Sequence, residues 1–433
     1  MDNTVRSGTE LLWSALGGDP ALVDRVEYGG TSGLLPARLP VMDLARASVA
    51  ACSLAAVEHA GLPGPVRVDD GAVATAFVSE RHLRIDGRAP VSFAPLSRFW
   101  RAADGWVRTH ANYPHHKAAL LAALDASDSV EAVAAAIGER KAVEVETAVY
   151  AAGGLAVALR TPGEWAASEQ GREVAARPLL TRERLDDAPP PRRRTGPLRV
   201  LDLTRVIAGP VATRTLALLG ADVLRIDSPH RPELPDQHAD TDIGKRTAAL
   251  DLDRPSDRRA FGELLDSADV LVTGYRPGAL DRFDLHRPGL VTARLSAWGD
   301  YGPWRERRGF DSLVQVATGI ATVEGSAEEP GALPAQALDH GTGYLLAAAV
   351  LRALTEQDRD GGTRLVRLAL AQTGHWLTHA LPRYDAGRYL GESEGPLGHL
   401  RYALSPVSYE GGASGWSRPP GLAGADAPEW LGA

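Results

Sequence analysis

Short apolar runs alternate with longer Ala- and Leu-rich runs in the second half of the chain. The run at Arg199–Leu203 leads into a helix-forming stretch at 208–219, and a second apolar run follows at Ala221–Asp227. A proline near the start of that stretch and a glycine after its end are typical helix boundaries. Strand, helix and strand at this spacing predict parallel pairing. Apolar runs at Ala268–Tyr275 and Leu290–Ser296 extend the pattern, so we predict an α/β fold with a Rossmann-like parallel sheet.

Residues 93–187 have a different pattern, which predicts a smaller α+β domain. Two short apolar runs at Phe99–Val107 flank an Asp104–Gly105 turn and indicate a hairpin. We interpret Asn112–His116 as a polar loop before a helix. The Pro- and Arg-rich stretch 188–197 predicts an extended linker. These patterns divide the chain into a helical segment 1–92, a small domain 93–187, the linker, a Rossmann-like domain 198–378 and a tail 379–433.

The helical segment contains a pattern that returns near the end of the Rossmann-like domain. Val41–Ala60 is Ala-rich and helix-forming, and a strand-like run and a short helical run follow it. Residues 336–378 have the same plan, with Asp43 aligned to Asp339. We therefore interpret the segment 1–92 as a repeat of the 336–378 unit, at a period too long for a solenoid.

Composition narrows the class of protein without identifying a reaction. The chain has 433 residues, enough for two or three domains, and its net charge of −8 argues against a general nucleic-acid binder. Cys52 is the only cysteine, so neither an internal disulfide nor a cysteine-rich metal site is possible. We find no signal-peptide pattern and no apolar run long enough to span a bilayer. We expect a cytoplasmic protein with neither a membrane nor a nucleic-acid partner.

Motifs between residues 200 and 319 resemble those of the family III CoA transferases, the group of formyl-CoA and carnitine CoA transferases. In chain order they are VLDLTRVIAGP, LGADVLRID, GKRTAALDL, ADVLVTGYRPG, LVTARLSAWGDYGP and GFDSLVQVATG. The small domain also resembles that of the family, but it precedes the nucleotide-binding half, so the modules stand in permuted order. The resemblance implies the family's fold, coenzyme A as a substrate, an acyl-CoA donor, a carboxylic acid acceptor and a homodimer.

The resemblance implies that Asp311, in the motif GFDSLVQVATG, is the catalytic nucleophile. A carboxylate can attack a thioester to give a mixed anhydride and CoA thiolate, which then returns to form an aspartyl-CoA thioester. An acid acceptor repeats the exchange and leaves with the CoA. The alternative is that Asp311 is a helix N-cap, since it stands before a helix-forming run. Both roles are compatible, because a helix start also stabilises a carboxylate.

Six residues are candidates for contact with CoA. Arg276 and Lys245–Arg246 match family positions that contact the nucleotide part. Val206 and Ala208 follow the first strand, where ligands approach the carboxyl end of a sheet. Arg225, near the end of the second strand, is in a position to reach a phosphate, although a solvated surface charge explains Arg225 and Arg246 equally well.

Two other functions remain open at this point. One is an α-methylacyl-CoA racemase, which shares the fold and uses a His/Asp pair, with His286 as the available histidine. The other is a catalytically inactive CoA-binding protein. The stretch between Arg81 and Phe99 contains one glycine, whereas the family has a glycine-rich loop over its site. The glycine-rich run Glu410–Gly415 lies in the tail.

Histidines and a second aspartate offer further chemistry. His110, His115 and His116 suggest a metal site, but no cysteine or carboxylate completes the set at ligand spacing. We therefore expect no metal. Asp339 stands at a predicted helix start, where it either caps the helix or shapes the acyl pocket.

Overall fold

The computed structural model describes residues 8–31, 33–190, 196–381, 390–396 and 398–404. The chain divides into two compact units, Met1–Leu381 and Pro382–Ala433. Residues 191–195 of the predicted linker and the glycine-rich run at 410–415 lie outside the described residues. In the part of the chain that is described, no helix is both long enough and apolar enough to span a membrane.

The first segment is mainly helical and contains one pair of parallel strands. Its elements are α1 (Gly8–Ala15), a 3₁₀ helix (Pro20–Arg25), β1 (Val26–Gly29), α2 (Val41–His59), β2 (Val66–Asp69), α3 (Asp70–Ala76) and α4 (Ser79–His82). Strand β1 pairs with β2 in parallel. The helix–strand–helix unit predicted from the sequence is therefore α2, β2 and α3.

The second segment has the predicted mixture of short helices and antiparallel strands. Its elements are β3 (Phe99–Arg101), β4 (Trp106–Thr109), α5 (Pro114–Leu124), α6 (Val130–Gly138), α7 (Ala142–Ala151), β5 (Ala156–Ala158), α8 (Pro162–Ala167), α9 (Glu169–Ala175) and β6 (Leu180–Arg184). Strands β3, β4 and β5 form an antiparallel sheet. Val107, Leu120, Ile137 and Val145 lie in a separate small core beside it.

The third segment alternates strands with helices. It contains β7 (Arg199–Leu203), α10 (Ala208–Leu218), β8 (Asp222–Asp227), α11 (Pro235–Thr241), β9 (Arg246–Ala249), α12 (Pro255–Asp266), β10 (Val270–Thr273), a 3₁₀ helix (Asp281–Phe283), β11 (Val291–Ser296), α13 (Asp311–Ala317), α14 (Ile320–Glu324), α15 (Ala337–Asp360), β12 (Arg364–Ala369) and α16 (Leu370–His379). The second compact unit contributes β13 (Leu390–Gly395) and β14 (Gly398–Ala403), an antiparallel pair.

Among the described residues, one large sheet has the strand order β6-β12-β11-β10-β7-β8-β9. The strands from β7 to β12 pair in parallel, and β6 adds an antiparallel edge. Val270 of β10 lies beside Val200 of β7, so the predicted α/β fold with a Rossmann-like parallel sheet is confirmed. Buried strands such as β10 read as continuous apolar runs because helices or loops cover both faces of a parallel sheet.

The strand order reverses between β7 and β10. The chain moves from β7 outward to β8 and β9, and then returns to the other side of β7. In open α/β sheets, ligands bind at the carboxyl ends of the strands where this reversal occurs. The topology therefore directs attention to the loops that follow β7 and β10.

Candidate functional site

A cavity of about 290 Å³ lies at this reversal point. Val206 and Ala208 line it after β7, and Tyr275 and Arg276 line it after β10. Arg276 also lines a neighbouring cavity of about 430 Å³. Three of the six predicted CoA contacts, Val206, Ala208 and Arg276, are thus brought together at one opening.

The first turn after β7 is held in a strained conformation. Val206 has a φ of +72°, a left-handed value that a β-branched residue rarely adopts. Its N–H donates to the carboxylate of Glu233 at 2.9 Å, and the same carboxylate accepts a short hydrogen bond from the Tyr113 hydroxyl. Such strain persists only where neighbouring contacts hold it. Glu233 therefore fixes the turn and links it to the segment that carries α5.

Arg225 and Lys245 lie beneath this turn and do not line the cavity. The Arg225 side chain is fully buried and pairs with Asp242 at 2.8 Å and Asp227 at 2.9 Å. Lys245 is also fully buried and pairs with Asp202 at 3.0 Å and Asp242 at 3.1 Å. Carboxylates satisfy both cations inside the chain, as buried charges require.

Arg246 lies on the surface and pairs with Asp222 at 2.7 Å. Arg225, Lys245 and Arg246 are therefore separated from the cavity that holds Val206, Ala208 and Arg276. In this conformation the first two of these cations have structural partners, and the third matches the surface-charge alternative.

Three arginines stand together at the cavity: Arg231, Arg276 and Arg308. All three line it, and among the described residues none of them makes an ion pair with an acidic side chain. Burial lowers the pKa of Arg308, and the positive charges of Arg231 and Arg276 lower it further. Uncompensated cations that repel one another form a receptive site for a polyanion such as a phosphate group.

Asp311 is the first residue of α13 and is fully buried. Its Oδ1 accepts from Gln315 Nε2 at 2.5 Å, and its Oδ2 accepts from the backbone N–H of Asp339 at 2.9 Å. Phe310 is the N-cap of α13, and no side-chain capping bond is present there. The capping interpretation of Asp311 is therefore wrong, because its carboxylate binds a side chain of its own helix and the start of α15.

Asp311 and Asp339 form a buried carboxyl pair. Burial raises the pKa of Asp311 to about 6. Burial also raises the pKa of Asp339, and the negative charge of Asp311 adds to the effect. Two interacting carboxyl groups in one buried site do not ionise independently, because the charge of one opposes ionisation of the other. Asp339 lines the cavity, whereas Asp311 lies next to the lining residue Phe310.

Aromatic side chains from the second segment close this end of the cavity. The His110 ring stacks on Phe310 with centroids 3.7 Å apart and an interplanar angle of 4°. His116 and Tyr113 lie 6.0 and 6.2 Å from the same ring. One chain therefore brings the residues around α5 against the residue that precedes Asp311.

The predicted polar loop at Asn112–His116 is wrong in its second half. Helix α5 begins at Pro114, and His110 and His116 are buried at 5% and 4% exposure. Proline at the first helical position was the available signal, since its missing N–H is harmless there. In the part of the chain that is described, no group of three or more His, Cys, Asp or Glu side chains is arranged to hold a metal ion. His286 is exposed and does not line the cavity.

The sequence model of CoA-transferase family III matches residues 197–409. This match contains the strands β7 to β12 and the motif with Asp311. Acetyl-coenzyme A transferase nodX of Hypoxylon pulicicidum is 36% identical over 209 residues, which are 45% of this chain and 35% of that protein. A probable fatty acyl-CoA transferase of Mycobacterium tuberculosis is 33% identical over 196 residues, 40% of this chain and 49% of that protein.

Formyl-CoA:oxalate CoA-transferase of Streptomyces coelicolor is 31% identical over 192 residues, 40% of this chain and 47% of that protein. The chain thus spans between about a third and a half of the length of these curated relatives. The crystal structure of Rv3272 from M. tuberculosis covers 43% of this chain and 57% of that chain, with 32% identity and a TM-score of 0.40.

Proposed function

We propose that this chain, whose residues 197–409 match the model of CoA-transferase family III, transfers CoA from an acyl-CoA to a carboxylic acid, with Asp311 as the nucleophile. The observation that carries the proposal is the buried carboxyl pair, Asp311 and Asp339, beside a cavity whose lining includes Arg231, Arg276 and Arg308. A carboxylate with a raised pKa is more basic than an ordinary aspartate, and it is still ionised above about pH 6. It therefore combines nucleophilicity with charge at neutral pH.

CoA matches the charge distribution of the cavity. Its phosphates meet the guanidinium groups of Arg231, Arg276 and Arg308, which form strong hydrogen bonds to phosphate oxygens. The pantetheine arm then carries the thioester toward Phe310 and Asp339. In this proposal Val206 and Ala208 supply the wall at the first turn, and Arg225 and Lys245 support that turn from below.

The chemistry proceeds through two covalent intermediates. Asp311 attacks the thioester carbon, the carbon–sulfur bond breaks, and CoA leaves as the thiolate. The thiolate attacks the aspartyl carbonyl of the mixed anhydride and releases the acyl group as its acid. An acceptor carboxylate then takes CoA by the same two steps in reverse. Asp311 has no exposed surface, so the proposal requires Phe310 or Asp339 to shift when acyl-CoA binds.

Exchange of labelled CoA tests the proposal. The protein is mixed with radiolabelled CoA and, in separate reactions, acetyl-CoA and succinyl-CoA, and label is followed into the ester. A transferase of this mechanism incorporates label because the first step is reversible. A racemase would instead lose deuterium from the α-carbon of a 2-methylacyl-CoA, and an inactive CoA-binding protein would do neither. Absence of exchange with every ester of a broad panel would refute the proposed activity.

The homodimer and the cytoplasmic location are parts of the same proposal. Phe310 contacts His110, Tyr113 and His116 of the same chain. A partner chain is therefore not needed to supply these residues. Light scattering at micromolar concentration tests the association directly. A mass of one chain at every concentration would refute the dimer and leave the proposed chemistry intact.

A further inference from the structure

The first turn of α5 brings an imidazole without partners to the cavity wall. His116 is 4% exposed, and among the described residues neither Nδ1 nor Nε2 has a hydrogen-bond partner. His116 lines the cavity together with Phe310 and Asp339. Buried polar groups are nearly always hydrogen-bonded, so an unpaired one at a cavity wall indicates a partner that the chain does not supply.

The backbone at the same place has donors of its own. Pro114 is the first residue of α5, and its N-cap, Tyr113, makes no side-chain capping bond. The next N–H groups, those of His115 and His116, have no acceptor within the helix. Tyr113, His115 and His116 all line the cavity, so the positive end of the helix dipole lies at its wall.

We propose, resting on the transferase activity proposed above, that His116 and the start of α5 bind the acyl oxygen of the thioester and stabilise the oxyanion formed during attack. This assigns His116 a catalytic role that the sequence pattern did not indicate. The donors belong to the segment that precedes the Rossmann-like sheet, so the two halves of the chain meet at the reacting carbon.

The step balances without a proton transfer. An Asp311 oxygen forms a bond to the thioester carbon, and the carbonyl π pair moves onto the acyl oxygen. His116 and the backbone N–H groups donate hydrogen bonds to that oxygen while it is negative. When the pair returns, the carbon–sulfur bond breaks and the charge leaves on the CoA thiolate. Burial lowers the pKa of His116 to about 3, so the ring is neutral and keeps one N–H as a donor.

His340 provides a matched control. It is 1% exposed, both of its ring nitrogens lack partners among the described residues, and its ring stacks on Phe77 at 5.3 Å. It does not line the cavity. Replacing His340 by Phe removes the same two nitrogens from an equally buried site and leaves the proposed donors in place.

The experiment compares His116→Phe, His116→Asn, His116→Gln and His340→Phe by two measurements. The first is the rate of labelled CoA exchange. Loss of one oxyanion donor lowers such rates by on the order of 10²-fold. We expect that fall in kcat for His116→Phe, partial recovery in the Asn or Gln variant, and little change for His340→Phe. Melting temperatures identify variants that do not fold, and the Asn and Gln variants then decide the outcome.

The second measurement does not need turnover. Acetyl-CoA labelled with ¹³C at its carbonyl is bound to the Asp311→Asn protein, and its carbonyl stretch is recorded by isotope-edited infrared spectroscopy. Adding His116→Phe is expected to shift the stretch to higher frequency, because a hydrogen bond to the oxygen is lost. Adding His340→Phe is expected to leave it unchanged.

The outcomes separate this inference from the proposed function. Binding with the expected shift but without exchange in the wild type supports the oxygen-binding role and refutes the transferase. Exchange in the wild type with no effect of the His116 variants on rate or stretch refutes the inference alone. Failure of acetyl-CoA and every other ester tested to bind refutes both.

Discussion

Two helix–strand–helix units with the same order of elements, called here the first and second copy of the predicted repeat, pack against each other through α2 and α15, and the second copy carries Asp339 of the carboxyl pair. The first copy is α2, β2 and α3, and the second is α15, β12 and α16. The N-caps of their first helices, Pro40 and Gln336, have nearly the same backbone angles, φ −76° and ψ 61° or 64°. Asp43 and Asp339 therefore start from equivalent positions, three residues after each cap.

The surroundings of these two aspartates differ completely. The Asp43 side chain is 51% exposed and lies 3.3 Å from Arg46, which also binds Asp70 at 2.6 Å. Asp339 is 6% exposed and lies against Asp311. The position equivalent to Arg46 in the second copy is Thr342. Its hydroxyl forms a hydrogen bond with that of Thr373 at 2.6 Å. Asp43 pairs with an arginine in the first copy, whereas Asp339 in the second copy lines a cavity. The neighbouring residues, rather than the fold of the unit, therefore distinguish the two positions.

Among substitutions that test this comparison, the largest expected effect is on the rate of CoA exchange. Asp311→Asn removes the proposed nucleophile and is expected to lower CoA exchange by on the order of 10⁴-fold or more. Its amide preserves the size of the side chain, so we expect the variant to fold, which its melting curve checks. Asp43→Asn is the matched change in the first copy, and we expect an exchange rate near that of the wild type. Steady-state exchange assays check both, and an active Asp311→Asn protein would contradict the account.

The next effect concerns stability and pH. The pKa of Asp311 is raised from 3.8 to about 6, and that of Asp339 is raised as well. For raised values, the stabilising contribution is complete below the unfolded pKa and is lost as pH rises through the folded pKa. The free energy of unfolding should therefore fall between about pH 4 and pH 7. Asp339→Asn should reduce this slope and raise the free energy of unfolding at pH 7.

Urea unfolding of the wild type, Asp339→Asn and Asp43→Asn across this pH range measures the slopes. The Asp43 variant is the control, because an exposed substitution usually changes stability by less than about 0.5 kcal/mol. Equal slopes for all three proteins would mean that ionisation of Asp339 is not linked to folding.

Binding of CoA should also distinguish an arginine at the cavity from an arginine of the first copy. Arg276 is exposed at the cavity and among the described residues has no ion-pair partner, so Arg276→Ala should weaken CoA binding by about 10-fold or more. Arg67, an exposed arginine of β2 in the first copy, pairs with Glu27 at 3.4 Å, and Arg67→Ala should leave the Kd unchanged. Isothermal titration calorimetry measures both constants. Equal Kd values for the wild type and Arg276→Ala would refute the phosphate contact.

The smallest expected effect lies in the first copy. Arg46 binds both carboxylate oxygens of Asp70 at 2.6 Å, and this contact lowers the pKa of Asp70. Because Arg46 is partly exposed, Arg46→Ala should destabilise the protein by about 1 kcal/mol, with CoA exchange unaffected. The loss should disappear as acid protonates Asp70. A clear fall in the exchange rate of the folded Arg46→Ala protein would show that the first copy also takes part in the chemistry.

The sequence predicted the sheet well because its strands are buried on both faces. A short, continuous apolar run such as Val270–Thr273 is typical of a strand that is buried on both faces of a parallel sheet. The positions of the turns after β7 and β10 then follow from the strand order. Asp311, Val206, Ala208 and Arg276 could thus be assigned to one region from motif order alone. What the motifs could not give is the distance of each residue from the cavity.

Long-range packing explains what the sequence did not reveal. Lys245 lies buried because Asp202 and Asp242, 43 and three residues away along the chain, meet it there. The wall of His110 and His116 exists because α5 packs against Phe310, nearly 200 residues later. No local pattern records such contacts, although the proline at the start of α5 did mark the helix that carries His116.

The most direct test of the central proposal is the site of the covalent adduct. Wild-type protein is mixed with acyl-CoA, quenched, digested and examined by mass spectrometry with and without hydroxylamine. The account predicts an acyl or CoA adduct, labile to hydroxylamine, on the peptide that contains Phe310 and Asp311, and its absence in Asp311→Asn. An adduct on the peptide that contains Asp339, or exchange with no adduct on either peptide, would contradict Asp311 as the nucleophile.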